Sequence, residues 1–392
     1  MYKRQARGGA IGDVLANVLK KAGYKTEKAY YINDYGMQIL TLGHSVLKND
    51  KAQYKGEYID YLHKKIKDKD PYKVGEKAAK IIVKEMIKKT TDNFGIKYDE
   101  WISETSFYKS KAVDKVLEKL NKKGLIYKKE GALWFKSKKF GDQRDRVVVK
   151  KDGWKTYLAG DIAFHEYKFN KKKFNKVINV WGADHFGDIL GLQAAVEAIG
   201  HKGKLDIIIL QFVTLFEKGK QLKMSKRKGT YVTIDELLKE VGKDVARFFF
   251  LNKSFDTHLN FDLKLAKEQS QKNPVYYVQY AYARICSILK KEKGSKTKAD
   301  FSLLKHSSEI KLIKELVKFP EMIEKMANDY QVQRLPQYMI DLATVFHKFY
   351  KDCKVLVEDE KLQQARIALI LATKTVLKET FDLMAILAPE KM

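Results

Sequence analysis

The sequence predicts an α/β domain built on a parallel sheet, interrupted by a mostly helical insertion and followed by an all-α bundle. Three observations carry this. Amphipathic helices alternate with short apolar strands from the first residues to about residue 240, as in a parallel sheet with crossover helices. Between about residues 49 and 130 the alternation gives way to helical periodicity and one hairpin. From residue 262 strand signals cease and apolar stripes at helical spacing follow one another. The chain of 392 residues is too long for one ordinary core. Its pattern divides it into an α/β domain over 1–240, a connecting segment over 241–261 and a helical domain over 262–392.

In order along the chain, Ile11, Val14, Leu15, Val18, Leu19 and Ala22 recur at helical spacing, predicting a helix over 10–22 that stops at Gly23. Ala29 to Ile32 reads as a strand, and the turn Asn33-Asp34-Tyr35-Gly36 opens a second helix. In the insertion, Ala79, Ile82, Val83, Met86 and Ile87 line one helical face, and Val113, Val116, Leu117 and Leu120 another. Leu125 to Phe135 forms a hairpin about Glu130-Gly131. The sheet resumes with strands at Arg146–Val149 and Lys155–Leu158, and Asp161 then lies near the N-terminus of a helix. Val177 to Trp181 is a strand that breaks at Gly182-Ala183-Asp184-His185 and feeds a helix from Ile189 to Ile199. Leu205 to Phe216 is read as one long strand, and a helix starts at Thr233-Ile234-Asp235-Glu236. The bundle stripes include Val275, Val278, Tyr282 and Ile285; Ile313, Leu316 and Val317, up to Pro320; Leu342, Val345, Phe346 and Phe349; and Ile367, Ile370, Leu371 and Val376.

Composition narrows the function classes. No apolar run reaches the roughly 18 to 20 residues of a membrane span, and no signal peptide is visible. The cysteines, Cys286 and Cys353, make neither a disulfide framework nor a zinc site, which fits a reducing cytoplasm. The formal charge of +28 suits a polyanion such as nucleic acid, although a lysine-biased coding sequence gives the same excess.

Ligands of a parallel sheet bind beyond the carboxyl ends of its strands. Three polar breaks fall there: 33–36, 182–185 and the loop Lys223-Met224-Ser225-Lys226-Arg227-Lys228-Gly229. Lys220, Lys223, Lys226, Arg227 and Lys228 place five cations within nine residues, beside a glycine that frees the backbone, which suits a triphosphate. The same residues also suit a solvated basic turn. Gly182 offers close backbone approach, Asp184 and His185 suit ribose or an amino acid, and Tyr157 and Asp161 fall nearby. Singly, His185 reads more readily as a cap or satisfied surface group and Asp161 as an N-cap. Together with the phosphate loop they favour a nucleotide site.

Several stretches resemble the arginyl-tRNA synthetase family, of class I. Lys223-Met224-Ser225-Lys226-Arg227 resembles the class I Lys-Met-Ser-Lys-Ser loop, with Arg in the last place. Tyr30 to Ile39, Gly141 to Val147, Thr156-Tyr157 with Asp161-Ile162-Ala163, Trp181 to His185, Asp244 to Phe249 and Asn273 to Ala281 are further matches in the family's order. The resemblance implies a Rossmann-like catalytic domain with an α-helical anticodon-binding domain. It implies arginine–tRNA ligase activity: L-arginine and ATP form arginyl-adenylate, and the arginyl group passes to tRNA(Arg). It further implies Lys223, Ser225 and Lys226 as catalytic, and Gly182, Asp184, His185 and Met224 at ATP or the adenylate. Tyr157, Asp161 and His185 would bind arginine, and Tyr276, Tyr280 and Arg284 would meet tRNA. Mg2+ would accompany ATP, no structural metal is expected, and the protein would act as a cytoplasmic monomer.

One departure stands out. Class I enzymes carry a His-x-Gly-His motif just before the helix that here starts near Gly8. The positions upstream of Ala6-Arg7 read Tyr2-Lys3-Arg4-Gln5, and no histidine precedes His44. The expectation is a chain truncated at its N-terminus, lacking that motif and the first strand, which activates arginine poorly or not at all; ordinary arginine-dependent pyrophosphate exchange would contradict it. A tRNA-binding protein that lost its chemistry is the rival, separable by measuring ATP and tRNA affinities apart. A cysteinyl-type synthetase conflicts with the missing zinc ligands, and a ligand-free helical scaffold with the motifs.

Overall fold

The computed structural model describes residues 3–217, 220–221, 233–292 and 299–392. Helix α1 (Lys3–Lys21) precedes β1 (Ala29–Ile32) and α2 (Met37–Leu47). The insertion contains α3 (Glu57–Lys65), α4 (Pro71–Ile81), a π-helical stretch (Ile82–Ile87), α5 (Lys88–Asn93), β2 (Glu100–Ser103), α6 (Glu104–Lys109) and α7 (Ala112–Lys122). The hairpin β3 (Ile126–Lys129) and β4 (Ala132–Phe135) and strand β5 (Arg146–Val149) follow, then α8 (Tyr157–Glu166), β6 (Val177–Gly182), α9 (Ile189–Ala198), β7 (Leu205–Leu210), β8 (Val213–Glu217) and β9 (Lys220–Gln221). Next come α10 (Ile234–Val241), α11 (Lys243–Leu251), β10 (Leu259–Asp262) and α12 (Leu263–Lys267). The bundle is α13 (Pro274–Lys291), α14 (Ser307–Leu316), α15 (Lys318–Asp329), α16 (Arg334–Asp352) and α17 (Glu360–Met384).

Parallel pairing is present but divided. Strand β1 pairs with β2, and β6 with β7, and among the described residues the two pairs are not bonded to each other. Helix α8 contacts both pairs, and α1 packs on the β6–β7 pair. On one side, α1 carries glycines where side chains would collide: a Cβ on Gly8 would sit 2.7 Å from Leu210 of β7, and one on Gly9 would sit 2.8 Å from Ile96. On the other side, α8 stacks Phe164 on Tyr31 of β1 (4.9 Å) and bonds His165 to Asn179 of β6. The insertion's helices also cross at glycines. A Cβ on Gly43 of α2 would fall 1.6 Å from the carbonyl oxygen of Pro71, and one on Gly75 of α4 would fall 2.0 Å from that of Ile39. Only glycine permits this backbone approach.

One hydrophobic core runs from α1 through α10–α12 into the bundle. Two buried arginines pin it. Arg7 donates to the carbonyls of Phe250, Gln211, Thr257, Lys253 and Ser254, closing the 250–258 segment around the start of α1. Burial lowers its pKa to about 10, against the opposing pull of Asp256. Arg247 of α11 donates to Asp13 of α1, to the carbonyl of Phe94 and to that of Met384 at the end of α17. Tyr330 of the bundle adds a hydrogen bond to Asp206 of β7.

Several elements differ from the sequence expectation. Helix α1 begins at Lys3, not residue 10, because Ala6 and Arg7 are themselves buried. Residues 205–216 form two strands in different sheets; at the break, Gln211 donates to Phe255 and Leu259 donates to Phe212, and β8 pairs with β10. Lys155–Leu158 is not a strand: Lys155 makes a single bridge to Val149, and α8 starts at Tyr157. Asp161 therefore sits in the second turn rather than near the cap. Strand β2 interrupts the helical insertion. Pro320 is the third residue of α15, where its missing N–H costs no helical bond, so it opens a helix instead of ending one.

Candidate active site

The polar ends of β1 and β2 and the first turns of α6 and α8 meet at one place, the candidate lining of the arginine pocket. Asp34, just after β1, accepts from Ser103 Oγ (2.6 Å) and the Thr105 amide (2.9 Å), and its carbonyl accepts from Thr105 Oγ1 (2.6 Å). These bonds lock the start of α6 to β1. Glu104, first residue of α6, is 2 % exposed; its Oε2 has no hydrogen-bond partner in the protein, and the Tyr31 hydroxyl donates to the carboxylate. Gly160 of α8 makes room: a Cβ there would stand 3.3 Å from Glu104 Oε1 and 3.2 Å from Tyr108 Oη.

Buried carboxyls dominate the electrostatics here. Burial, then the charges of Asp161 and Asp34, push the Glu104 carboxyl up to about 7. Burial also raises Asp161 to about 7, with Lys168 opposing and Asp188 adding. Tyr31 and Tyr108 are pushed up by burial and by Glu104. Tyr35 stacks on Tyr108 at 3.6 Å, which forms an aromatic wall. Facing carboxyls that resist ionisation mean that a bound cation gains by making both of them ionise.

Tyr157 opens α8 at the mouth of this pocket, 58 % exposed, hydrogen-bonded to Gln38 and raised by partial burial and by Glu104. Beneath it lies a largely buried polar network. His165 bonds the Asp161 carbonyl and Asn179, and Lys168 donates to Asn179. His185 lies on the 3-10 turn after β6, exposed, 3.5 Å from Asp188 and beside the Trp181 ring. Through Asp188, whose charge reaches Asp161, this turn adjoins the same pocket. Asp184 is exposed on that turn. Gly182 ends β6 at φ −79°, ψ 156°, a conformation open to any residue, so its backbone angles do not require glycine.

Lys223, Met224, Ser225 and Lys226 lie outside the described residues. Their flanks are defined: β8 and β9 pair Phe216 with Gln221, and Thr233 and Glu236 form a capping box on α10. In the bundle, Arg284 packs between the rings of Tyr280 (5.2 Å) and Tyr350 (5.1 Å) and donates to both hydroxyls. Tyr276 is half-buried against the core, and Tyr282 is core. Among the described residues no His, Cys, Asp and Glu group could hold a metal, and no helix is long and apolar enough to cross a membrane.

Sequence reasoning missed Glu104, His165, Lys168, Asn179 and Tyr350. Glu104 carried a signal. It follows a strand end, as His185 does, but that strand was hidden inside a helical block.

Residues 48–264 match the family model described as "tRNA synthetases class I (R), catalytic domain", and residues 278–392 match "DALR anticodon binding domain". The arginine–tRNA ligase of Caldanaerobacter subterraneus subsp. tengcongensis is 44 % identical over 421 aligned positions, and that of Bacillus subtilis 43 % over 420. Each alignment covers all of this chain and 75 % of the relative, so the chain spans about three quarters of their length. A Campylobacter jejuni structure described as an arginyl-tRNA synthetase superposes with a TM-score of 0.90 at 33 % identity, covering 100 % of this chain and 91 % of that one. The Thermus thermophilus arginyl-tRNA synthetase, at 21 % identity and TM-score 0.80, covers 99 % of this chain and 79 % of that one and shares the fold. With a class I catalytic domain, a helical anticodon-binding domain and close relatives that ligate arginine to tRNA, the chain belongs to the arginyl-tRNA synthetase family.

Proposed function

We propose that Glu104 and Asp161 receive the guanidinium of L-arginine, with Tyr157 at the mouth of the pocket and His185 on its adenylate side. The observation that supports this best is the pair of carboxyls held near 7 by burial, with Glu104 Oε2 unpartnered. A guanidinium offers a planar fork of donors to two carboxylates, a pairing that a neutral or shorter side chain cannot make.

ATP binds beyond β6, with Gly182, Asp184, His185 and Met224 around the adenylate. Lys223 and Lys226 neutralise the β and γ phosphates as charge develops on the leaving pyrophosphate, and Ser225 donates a hydrogen bond to the same group. Mg2+ enters with ATP as part of the substrate, held on phosphate oxygens. The arginyl carboxylate attacks the α phosphorus, the bond to pyrophosphate breaks, and the adenylate then gives its arginyl group to the terminal ribose of tRNA(Arg). Tyr276, Tyr280 and Arg284 contact that RNA. Two buried free thiols, Cys286 and Cys353, accord with a reducing cytoplasm, and the catalytic and bundle domains share a core within one chain, which accords with a monomer.

Binding tests recognition more directly than turnover. Raised carboxyl pKa values make the protein hold more protons when folded than when unfolded. Their contribution therefore weakens the fold as pH rises from about 4 to about 7. Arginine cancels that cost only where the carboxyls ionise. Its affinity, read by thermal shift or calorimetry, is expected to rise from pH 6 to pH 8 by about tenfold for each carboxyl that must ionise, with no such rise for neutral L-citrulline. Equal responses to the two ligands, or none to arginine, would refute the assignment.

A further inference from the structure

Two turns below Asp161, the helix carries a cation that the pocket's recognition chemistry leaves unused. Lys168 lies in the π-helical stretch Tyr167–Lys171 that continues α8. Its ammonium is drawn inward, 3.8 Å from the centroid of the Phe164 ring, and donates to Asn179 Oδ1 at 3.0 Å. That bond orients the amide, so Asn179 Nδ2 donates to His165 Nε2 (3.0 Å). His165 Nε2 is thus an acceptor, its proton sits on Nδ1, and Nδ1 donates to the Asp161 carbonyl at 2.7 Å. His165 and Asn179 are buried. The chain from Lys168 to Asp161 is satisfied in a single orientation, with the imidazole neutral.

The charges around this chain can be counted. The Asp34 carboxylate, held by Ser103 Oγ and the Thr105 amide, adds to the negative field at Glu104, and Asp188 is exposed. Tyr31, Tyr108, Tyr157 and His165 are neutral in the working range. Glu104 and Asp161 then contribute two negative charges in a buried space, and one guanidinium answers only one of them. A carboxylate left over in such a space takes up a proton.

We infer that Lys168 is a specificity-determining residue of the arginine pocket: its resident ammonium balances the second carboxylate, so that Glu104 and Asp161 grip a single guanidinium as an ionised pair. This rests on the assignment of that pocket to arginine. Two directions of shift agree with it. Lys168 pulls Asp161 down against burial, and burial, opposed by Asp161, lowers Lys168 itself to about 7.

The test is calorimetric titration of the 392-residue protein with L-arginine and with L-citrulline from pH 6.5 to 9. It uses the wild type, Lys168→Met, Lys168→Gln, Lys168→Arg and Asp161→Asn. Loss of the resident charge is expected to weaken arginine about fivefold at pH 7, as a rise of one unit in a carboxyl pKa near 7 would, and the gap should close towards pH 9. Citrulline should change little, so discrimination falls by a similar factor. Lys168→Gln keeps a donor to Asn179 and should behave like Lys168→Met, which guards against a simple folding defect. Lys168→Arg should stay within about threefold of wild type. A loss that is equal for both ligands at every pH would make Lys168 merely structural and overturn the inference. Wild-type arginine affinity in Asp161→Asn would instead overturn the pocket assignment on which it rests.

Discussion

Arg247→Met is expected to lower the stability of the protein by about 3–5 kcal/mol, the usual cost of removing one partner from a buried ion pair. Arg247 and the Asp13 carboxylate are both almost fully buried, and their 2.6 Å contact joins α11 to α1. Burial lowers the arginine's pKa more than Asp13 restores it, yet a guanidinium does not give up its proton in this range. The charge therefore stays, and its three acceptors hold it. Methionine would fill part of the volume but strand the carbonyls of Phe94 and Met384. It would also leave Asp13 with only Lys28, at 2.7 Å. Urea unfolding checks the magnitude, and a change below about 1 kcal/mol would show that the pair contributes little. Adding Asp13→Leu should recover part of the loss, because two well-packed apolar groups cost less than one stranded charge.

This ion pair explains why element boundaries were easier to read than the way the parts join. Helix α7, the hairpin β3–β4 and helices α13, α16 and α17 follow from local periodicity, caps and turn residues, all close in sequence. Glu130 and Gly131, for instance, both adopt positive φ, as a tight hairpin turn demands. The contacts that set domain against domain are remote: Arg247 reaches Asp13 across 234 positions, and Arg7 reaches Ser254 across 247. No local pattern announces them. Strand β2 illustrates the same limit. Four residues, Glu100 to Ser103, become a strand only because β1 lies alongside, and the hydrogen bonds that stabilise them come from that partner.

The site was legible to the same degree. His185 follows the end of β6, whereas Tyr157 and Asp161 lie in the first two turns of α8, and the structure brings the neighbourhoods of all three together. Glu104 stayed hidden because its strand did. Lys168, His165 and Asn179 stayed hidden for another reason: each is ordinary in its own segment, and they become a network only when α8 packs on β6. A buried polar chain of this kind is a property of two facing surfaces, so only tertiary structure shows it.

Asp161→Asn is expected to reduce arginine affinity at pH 8 by about 100-fold, from loss of a charge-assisted contact worth about 2–3 kcal/mol. The substitution keeps the shape and leaves His165 its backbone acceptor, because that bond goes to the carbonyl of residue 161 and not to its side chain. A folding defect is therefore not expected. The fold should be somewhat more stable above pH 7, since a buried carboxyl held near 7 no longer has to ionise there. The two outcomes are opposite in sign: binding weakens while the ligand-free fold strengthens. A site used only for packing would lose both together, and a surface carboxylate would change neither. Measuring arginine affinity and urea stability on the same protein at pH 6 and pH 8 separates the three cases. At pH 6 the wild-type carboxyl is mostly protonated, so the gap between variant and wild type should narrow from about 100-fold to about tenfold. A 100-fold gap that persisted at pH 6 would mean that Asp161 is ionised throughout, and that burial between α6 and α8 does not govern its charge.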